Sequence, residues 1–172
     1  MKIIIVGDGK VGFTLAEHLS QEEHNVTVID TNDDALRHAS ESLDVMCVKG
    51  NGASISVLKE SGAESADVLI AATSLDEINM VCCLTAKQLG AKFTIARVRN
   101  VEYAMELSHM KRELGIDLAI NPENATAVEI SRLLRFPSAA NIETFCRGRV
   151  ELIGFRVREG DFLVGRPLAD QS

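Results

Sequence analysis

The sequence has no long uninterrupted run of apolar residues, although 46% of its 172 residues are hydrophobic. No stretch reaches the roughly 20 residues that a membrane-spanning helix needs, so we expect no transmembrane segment. Basic residues are not in excess either, because 18 lysines and arginines stand against 25 acids and leave a net charge of −7. This charge argues against nucleic acid or an anionic membrane surface as a general partner.

The four cysteines lack the spacing of a metal site. Cys82 and Cys83 are adjacent on a predicted helix and point to different sides of it, while Cys47 and Cys146 are isolated. We expect free, buried thiols in a reducing cytoplasm and no bound metal. The chain also has no low-complexity segment and no repeat beyond an alternation of strands and helices.

That alternation is the main structural signal of the chain. Continuously apolar strands, such as residues 68–72, are typical of a parallel sheet that is covered on both faces. Six strand–helix units with right-handed crossovers predict an α/β, Rossmann-like doubly wound parallel sheet of strand order 3-2-1-4-5-6. The predicted strands are residues 2–7, 26–30, 45–48, 67–72, 93–98 and 117–120, and the predicted helices are 11–22, 33–42, 53–61, 76–89, 101–114 and 123–135.

The pattern changes after residue 135, where Pro137 stops the sixth helix. Residues 141–145 and 150–157 have the composition of short strands. Some 20 residues of strand and turn cannot bury a core of their own, so we expect the chain to be a fragment of a longer protein. The predicted organisation is a domain over 1–135, a linker over 136–150 and the truncated start of a second domain over 151–172.

A glycine motif, G-x-G-x-x-G, lies between the first strand and the first helix at Gly7, Gly9 and Gly12. Gly7 permits a sharp turn, Gly9 leaves room for a pyrophosphate, and Gly12 lets the helix pack closely on the strand. The free amides at the start of the helix face the phosphates. Because the second strand also ends on an acid, Asp30, the whole unit indicates a nucleotide site more strongly than the glycines alone.

Asp30 predicts which nucleotide is bound. Its carboxylate can accept hydrogen bonds from both hydroxyls of an adenosine ribose and would repel a 2′-phosphate. The next residues, Thr31, Asn32 and Asp33, offer no arginine for such a phosphate. The site therefore suits NAD or another adenine nucleotide with free ribose hydroxyls, and disfavours NADP. Asp8 adds a negative charge beside the phosphates, and we expect its side chain to point to solvent.

The loop after the third strand contains Asn51 and Gly52, and it allows two interpretations. It forms a close-fitting wall for adenine, or it is a turn into a helix that is capped by Ser54 or a neighbour. In the predicted strand order this loop lies beside Asp30.

The fourth strand ends in Ala72, Thr73 and Ser74, where hydroxyls can bind phosphate or ribose at the point at which the strand order reverses. The simpler interpretation is that Ser74 caps the following helix, with Glu77 completing a capping box. Both can hold together, and the cap is the safer expectation.

Two arginines, Arg97 in the fifth strand and Arg99 just beyond it, suit bidentate phosphate contacts or surface ion pairs. We favour Arg99 over Arg97 as the ligand contact. After the sixth strand, Pro122 suits a first helical turn and Glu123 meets the positive end of the helix dipole. Glu123 could alternatively face a nucleotide or a cation.

The sixth helix is predicted to mediate a homodimer. One apolar arc is expected to cover a face of the sheet, and it consists of Ala127, Ile130, Leu133 and Leu134. A second apolar group lies outside that arc and needs another partner to bury it. This group consists of Ala125, Val128 and Phe136. The alternative is that the tail strands cover Val128 and Phe136 within one chain.

Several runs of the chain resemble the N-terminal nucleotide-binding domain of TrkA-type potassium-uptake regulators, also called KTN or RCK domains. These runs are MKIIIVGDGKVGFTLAEHL, VTVIDTN, VKGNGAS, DVLIAATSLDEINM, IARVRN and AINPENATAVEISRLL. The resemblance covers residues 1 to about 135, and residues 157–172 are similar to the opening of the family's C-terminal regulatory domain. The chain departs from the family pattern at Asp8, where small or apolar residues are usual, and at Asn51, where many members have an aspartate.

The resemblance implies a cytoplasmic subunit that binds NAD(H) or ATP/ADP and gates a membrane potassium transporter or channel subunit of the TrkH or KtrB type. It implies a homodimer that can assemble into a tetramer or larger ring at the inner face of the membrane. In the family the glycine loop, the acid after strand two and an arginine after strand five contact the nucleotide. The expected contacts here are Gly7, Asp8, Gly9, Lys10, Val11, Gly12, Asp30, Thr31, Asn51, Gly52, Ala72, Thr73, Ser74, Arg99 and Glu123.

The alternative function is a fragment of an NAD-dependent oxidoreductase. Such an enzyme needs a proton-transfer group near the nicotinamide. Only about 50 residues follow the sixth strand, and none of them is a histidine or a lysine. We therefore expect no enzyme activity. A third possibility, an interaction module that has lost its ligand, does not explain the intact glycines and Asp30.

Overall fold

The computed structural model describes residues 1–110, 113–137, 139–146, 149–161 and 164. The chain separates into two compact units, Met1–Pro122 and Glu123–Ser172. The sequence placed the sixth helix in the first domain, whereas here it groups with the residues that follow it. Each unit is described separately below.

The first unit is an α/β fold with six parallel strands in the order β3-β2-β1-β4-β5-β6, which confirms the predicted topology. A 3₁₀ turn at Ala63–Ser65 was not predicted. The strands are β1 (Lys2–Val6), β2 (Asn25–Asp30), β3 (Met46–Lys49), β4 (Val68–Ala71), β5 (Phe93–Arg97) and β6 (Leu118–Ile120). The helices are α1 (Lys10–Gln21), α2 (Asp33–Ser42), α3 (Ile55–Glu60), α4 (Asp76–Leu89) and α5 (Val101–Met110).

The core lies on both faces of the sheet. Ile3 and Ile5 of β1 pack with residues of α1 and α2, such as Ala16. Ile4 and Val6, which alternate with Ile3 and Ile5 along the strand, pack on the other face of the sheet with residues of α3 and α4. Side chains alternate between the two faces of a strand, so a strand that is covered on both sides must be continuously apolar. This arrangement explains the uninterrupted IIIV run.

The four cysteines are free. Cys82 and Cys83 are fully buried, and burial raises the pKa of the Cys82 thiol to about 12. Cys47 is half-buried and Cys146 is exposed beyond β7, so the expectation of buried thiols is wrong for Cys146. Among the described residues no group of three or more histidines, cysteines or acids could hold a metal ion. None of the described helices is both long enough and apolar enough to cross a membrane.

The second unit consists of helix α6 (Pro122–Arg135), whose first residue completes the first unit, and an antiparallel hairpin of β7 (Ala139–Phe145) and β8 (Val150–Phe155). The hairpin agrees with the two predicted strands. Glu151 on β8 accepts ion pairs from Arg132 and Arg135 of α6, at 3.9 and 3.6 Å. Most of the tail beyond residue 161 lies outside the described residues.

All 14 residues of α6 are described, and none of them is buried. In the predicted arc of α6, Ile130, Leu133 and Leu134 are 52%, 54% and 73% accessible. Val128 of the second apolar group is 49% accessible, so the tail strands do not cover it, while Phe136 is partly buried. Both apolar groups of the helix therefore include exposed side chains.

Candidate functional site

Two glycines of the loop between β1 and α1 are required by close backbone contacts. Gly7 has φ +98°, and a Cβ there would lie 2.8 Å from the amide nitrogen of Thr73. A Cβ at Gly12 would overlap the carbonyl oxygen of Gly7. At Gly9, which precedes α1 as its N-cap, a Cβ would have no neighbour within 4 Å. Only Gly9 leaves space toward the surface, where a ligand could approach.

The first turn of α1 has the free amides that suit the binding of an anion. The first helical bond runs from the Phe13 amide to the Gly9 carbonyl at 2.9 Å, so the amides of Lys10, Val11 and Gly12 have no acceptor within the helix. The turn contains no acidic residue. These amides, together with the positive end of the helix dipole, favour a phosphate at this position.

A cleft of about 520 Å³ opens above this turn, at the carboxyl edge of the sheet. Most of the predicted contacts line it, which are Gly7, Gly9, Lys10, Val11, Asp30, Thr31, Asn51, Gly52, Ala72, Thr73 and Ser74. Three predicted contacts of the first unit do not line it, which are Asp8, Gly12 and Arg99. The cleft walls also include residues that the sequence did not single out as contacts, namely Val6, Ile29, Gly50, Leu75, Ile78 and Arg97.

Asp30 connects two loops at one end of the cleft. Its Oδ2 accepts a hydrogen bond from the Asp8 amide at 2.6 Å, and its Oδ1 accepts one from the Asn32 amide at 2.8 Å. The nearby Lys49 is paired with Asp33. The carboxylate therefore holds the glycine loop against the start of α2, and each of its oxygens has a lone pair left for a ligand hydroxyl.

The sequence predicted that the Asp8 side chain points to solvent, and this prediction is wrong. Its side chain is partly buried in a shallow depression between α1 and α2 that Phe13 and His38 also line. Oδ1 is buried without a hydrogen-bond partner. Burial, then the charge of Asp30, raises the Asp8 pKa to about 6, against an opposing effect of His38. The charge of Asp8 thus lies beside the cleft and not within it.

The loop after β3 has a structural reason for its composition. A Cβ at Gly52 would overlap the Val6 side chain, and Gly52 is buried. Asn51 Oδ1 accepts a hydrogen bond from the Ala53 amide at 2.9 Å and so closes a local turn. Ser54 occupies the N-cap position of α3, but its side chain makes no capping bond. The loop is thus a turn into α3 that also lines the cleft, and its contact with adenine stays a prediction.

The predicted cap at Ser74 is wrong. Helix α4 begins at Asp76 with Leu75 at its N-cap position and no side-chain cap. Glu77 accepts a hydrogen bond from the Tyr103 hydroxyl at 3.0 Å and takes no part in a capping box. The hydroxyl of Thr73 lies 3.2 Å from the Leu75 amide, which replaces the expected Ser74 contact. Ser74 is exposed and lines the cleft.

The two arginines occupy different places. Arg97 is the last residue of β5 and lines the cleft, where its Nη1 donates to the Thr73 carbonyl at 3.4 Å. Arg99 lies two residues beyond the strand, and its guanidinium donates to the Ser74 carbonyl and lies 3.7 Å from Asp76 Oδ1. The position of Arg97 at the end of the strand was the signal that could have identified it. Arg99 as a ligand contact stays a prediction.

Glu123 belongs to the second unit, where it lies exposed in the first turn of α6. Pro122 is the first residue of this helix, as expected. An acid in that position agrees with the helix-dipole interpretation. A contact between Glu123 and a nucleotide stays a prediction.

Comparison with curated proteins finds close relatives over nearly the whole chain. The Trk system potassium uptake protein TrkA of Halomonas elongata is 43% identical over 170 residues, which are 98% of this chain and 37% of that protein. The TrkA homolog of Archaeoglobus fulgidus is 40% identical over 99% of this chain and 38% of its own length. The chain thus spans less than two fifths of these relatives. Both names are those of potassium uptake proteins and not of oxidoreductases.

Solved structures show the same fold. The TrkA-N domain of the Escherichia coli inner membrane protein ybaL superposes with a TM-score of 0.68 at 24% identity, over 77% of this chain and 96% of that one. The GsuK channel bound to NAD gives a TM-score of 0.60 at 27% identity, over 69% of this chain and 21% of that one. GsuK has also been solved bound to ADP, with a TM-score of 0.60 at 27% identity, over 70% of this chain and 31% of that one.

The TrkA-N domain family matches residues 3–122, which correspond to the first compact unit and contain the whole cleft. The relatives that match nearly the full chain carry the same family name. The chain therefore belongs to the TrkA-N family.

Proposed function

We propose that the chain is the nucleotide-binding part of a regulatory subunit of a potassium uptake system, and that the bound nucleotide sets the activity of a membrane partner. The relatives support the transport role, since both are named as potassium uptake proteins. The partner is a membrane potassium transporter or channel subunit of the TrkH or KtrB type. The protein acts at the cytoplasmic face of the membrane through this partner.

The observation that carries the nucleotide role is Asp30 at one end of the glycine-loop cleft. The α1 amides provide for phosphates, and the Asp30 carboxylate provides for ribose hydroxyls. The ligand is NAD(H), ATP or ADP, a choice supported by the GsuK structures with NAD and with ADP. NADP is disfavoured because its 2′-phosphate would meet Asp30, and Lys49, the strand neighbour of Asp30 on β3, is already paired with Asp33.

Titration calorimetry of the chain with NAD, ADP, ATP and NADP tests this function. We expect NADP to bind at least about tenfold more weakly than NAD, a difference of about 1.4 kcal/mol. Asp30→Ala should weaken NAD binding about tenfold or more, since it removes the ribose acceptor. Asp33→Ala is the matched control, because Asp33 is a neighbouring acid that does not line the cleft. Equal affinity for NADP and NAD in the unaltered chain would contradict the proposal.

A further inference from the structure

Asn79, in the second turn of α4, is a fully buried polar residue directly behind the cleft wall. Its Oδ1 accepts hydrogen bonds from the Thr73 amide at 2.8 Å and from the Thr73 hydroxyl at 2.7 Å. Its Nδ2 donates to the Thr73 carbonyl at 3.3 Å and to the Arg97 carbonyl at 2.9 Å. The side-chain amide thus uses its two acceptor sites and both of its donors.

These bonds determine the orientation of the amide. With oxygen and nitrogen exchanged, an NH₂ group would face the Thr73 amide and an oxygen would face the Arg97 carbonyl. Both contacts would then be repulsive, and buried polar groups would be left without partners. Asn79 therefore joins the end of β4 to the end of β5 in one arrangement.

The same bonds direct the proton of the Thr73 hydroxyl toward the buried Asn79 and away from the cleft. Asn79 Oδ1 carries no proton, so the hydroxyl donates across this 2.7 Å contact in preference to the Leu75 carbonyl at 3.2 Å, and both acceptors belong to the protein. Thr73 consequently cannot donate that proton to a ligand, although it lines the cleft. Arg97, whose guanidinium also reaches Thr73, offers the charged donor on this side.

We propose that Asn79 is a positioning residue that sets Thr73 and Arg97 for the phosphate portion of the nucleotide. The inference rests on the proposed function and adds to it the residue that positions the Thr73 and Arg97 side of the cleft. Strand order separates the Asp30 side of the site from the Thr73 and Arg97 side, because Asp30 ends β2 on one side of β1 while Thr73 follows β4 and Arg97 ends β5 on the other. Loss of Asn79 should therefore weaken ligands that contain phosphate and leave adenosine nearly unaffected.

Titration calorimetry with adenosine, ADP and NAD tests this on Asn79→Ala, Thr73→Val and the double variant. We expect each single variant to bind ADP and NAD about tenfold more weakly and adenosine within about twofold of the unaltered chain. The double variant should be no weaker than Asn79→Ala, since the hydroxyl acts through Asn79. Additive losses would instead mean that Thr73 binds the ligand directly, and they would overturn the proposal.

Thr94→Val is the matched control for a general loss of stability. Thr94 is also fully buried, lies on β5, and donates from its hydroxyl to the Gly115 carbonyl at the opposite edge of the sheet. This variant should unfold at a lower temperature yet keep the ADP-to-adenosine affinity ratio unchanged. If Thr94→Val changes that ratio as much as Asn79→Ala does, the effect is structural and the proposal fails.

A measurement on the unaltered protein covers the case in which Asn79→Ala does not fold. The Asn79 side-chain NH₂ signals in a ¹H–¹⁵N spectrum should shift on addition of ADP and stay in place with adenosine. Equal shifts with both ligands, or none with ADP although it binds, would overturn the inference. If neither ADP nor NAD binds the unaltered chain, the proposed function itself fails, and the inference fails with it.

Discussion

At the scale of single residues, each of the three glycines of the G-x-G-x-x-G motif is a glycine for a different physical reason. Gly7 and Gly12 are held by backbone atoms that cannot move aside, since they approach Thr73 and each other. Gly9 has open space where a side chain would begin. Folding thus requires two of these glycines, whereas no close contact among the described residues requires Gly9.

The variants Gly12→Ala and Gly9→Ala separate folding from binding. Gly12→Ala should lower the free energy of unfolding by about 3 kcal/mol or more, because its methyl group overlaps a backbone carbonyl. Gly9→Ala should cost at most about 1 kcal/mol, the scale of an N-cap change, yet weaken NAD binding about tenfold or more. Urea denaturation and titration calorimetry measure the two effects. A Gly9→Ala protein that binds NAD normally would show that the ligand does not approach this loop.

At the scale of elements, regular structure was predictable and local contacts were not. The periodicity of residues 76–89 predicted α4 over the same residues that form it. Its cap was mispredicted because Thr73, which lies before the helix, is drawn inward by Asn79, a partner that sequence spacing does not reveal. The preference for Arg99 over Arg97 likewise depended on where β5 ends, and a difference of one or two residues there changes which arginine lines the cleft.

Helix α6 gives the element-scale prediction, a two-fold homodimer. Its exposed apolar groups would be buried twice by a symmetric contact, since the same patch serves both copies. Light scattering at micromolar concentration should give twice the mass of one chain. Val128→Glu should give a monomer, because a charge would be buried in the contact.

Ile55→Glu is the control for that experiment. Ile55 is 58% exposed on α3, so this variant adds the same charge to an exposed apolar site on another element. It should stay dimeric. A monomeric unaltered chain would refute the dimer, and a Val128→Glu protein that stays dimeric would locate the contact on another surface.

At the scale of the whole molecule, the core is confined to one part of the chain. Every buried residue among those described lies in Met1–Pro122, and the last of them is Ile116. Apolar burial is the main source of folding free energy. Stability should therefore reside in the part of the chain that the TrkA-N family match covers.

A fragment of residues 1–122 should consequently fold and bind nucleotide. We expect its melting temperature to lie within about 5 °C of the full chain, a shift that corresponds to about 1 kcal/mol. A shorter fragment, residues 1–115, loses Ile116 and the Asp117 carboxylate that accepts the Thr94 amide at 2.8 Å, and it should not fold cooperatively. Differential scanning calorimetry of both fragments measures whether each unfolds cooperatively and at what temperature. An unfolded 1–122 fragment would show that α6 and the hairpin are needed for folding.

The double use of Asp30 affects any attempt to redesign ligand preference. Conversion of a Rossmann site to NADP replaces the acid after the second strand and supplies an arginine for the 2′-phosphate. Here that replacement would also leave the amides of Asp8 and Asn32 without their acceptor. A designer would need a compensating change in the glycine loop or at the start of α2. The same linkage makes a gradual evolutionary exchange of cofactor through single substitutions costly, because the first step loosens the loop before any new contact exists.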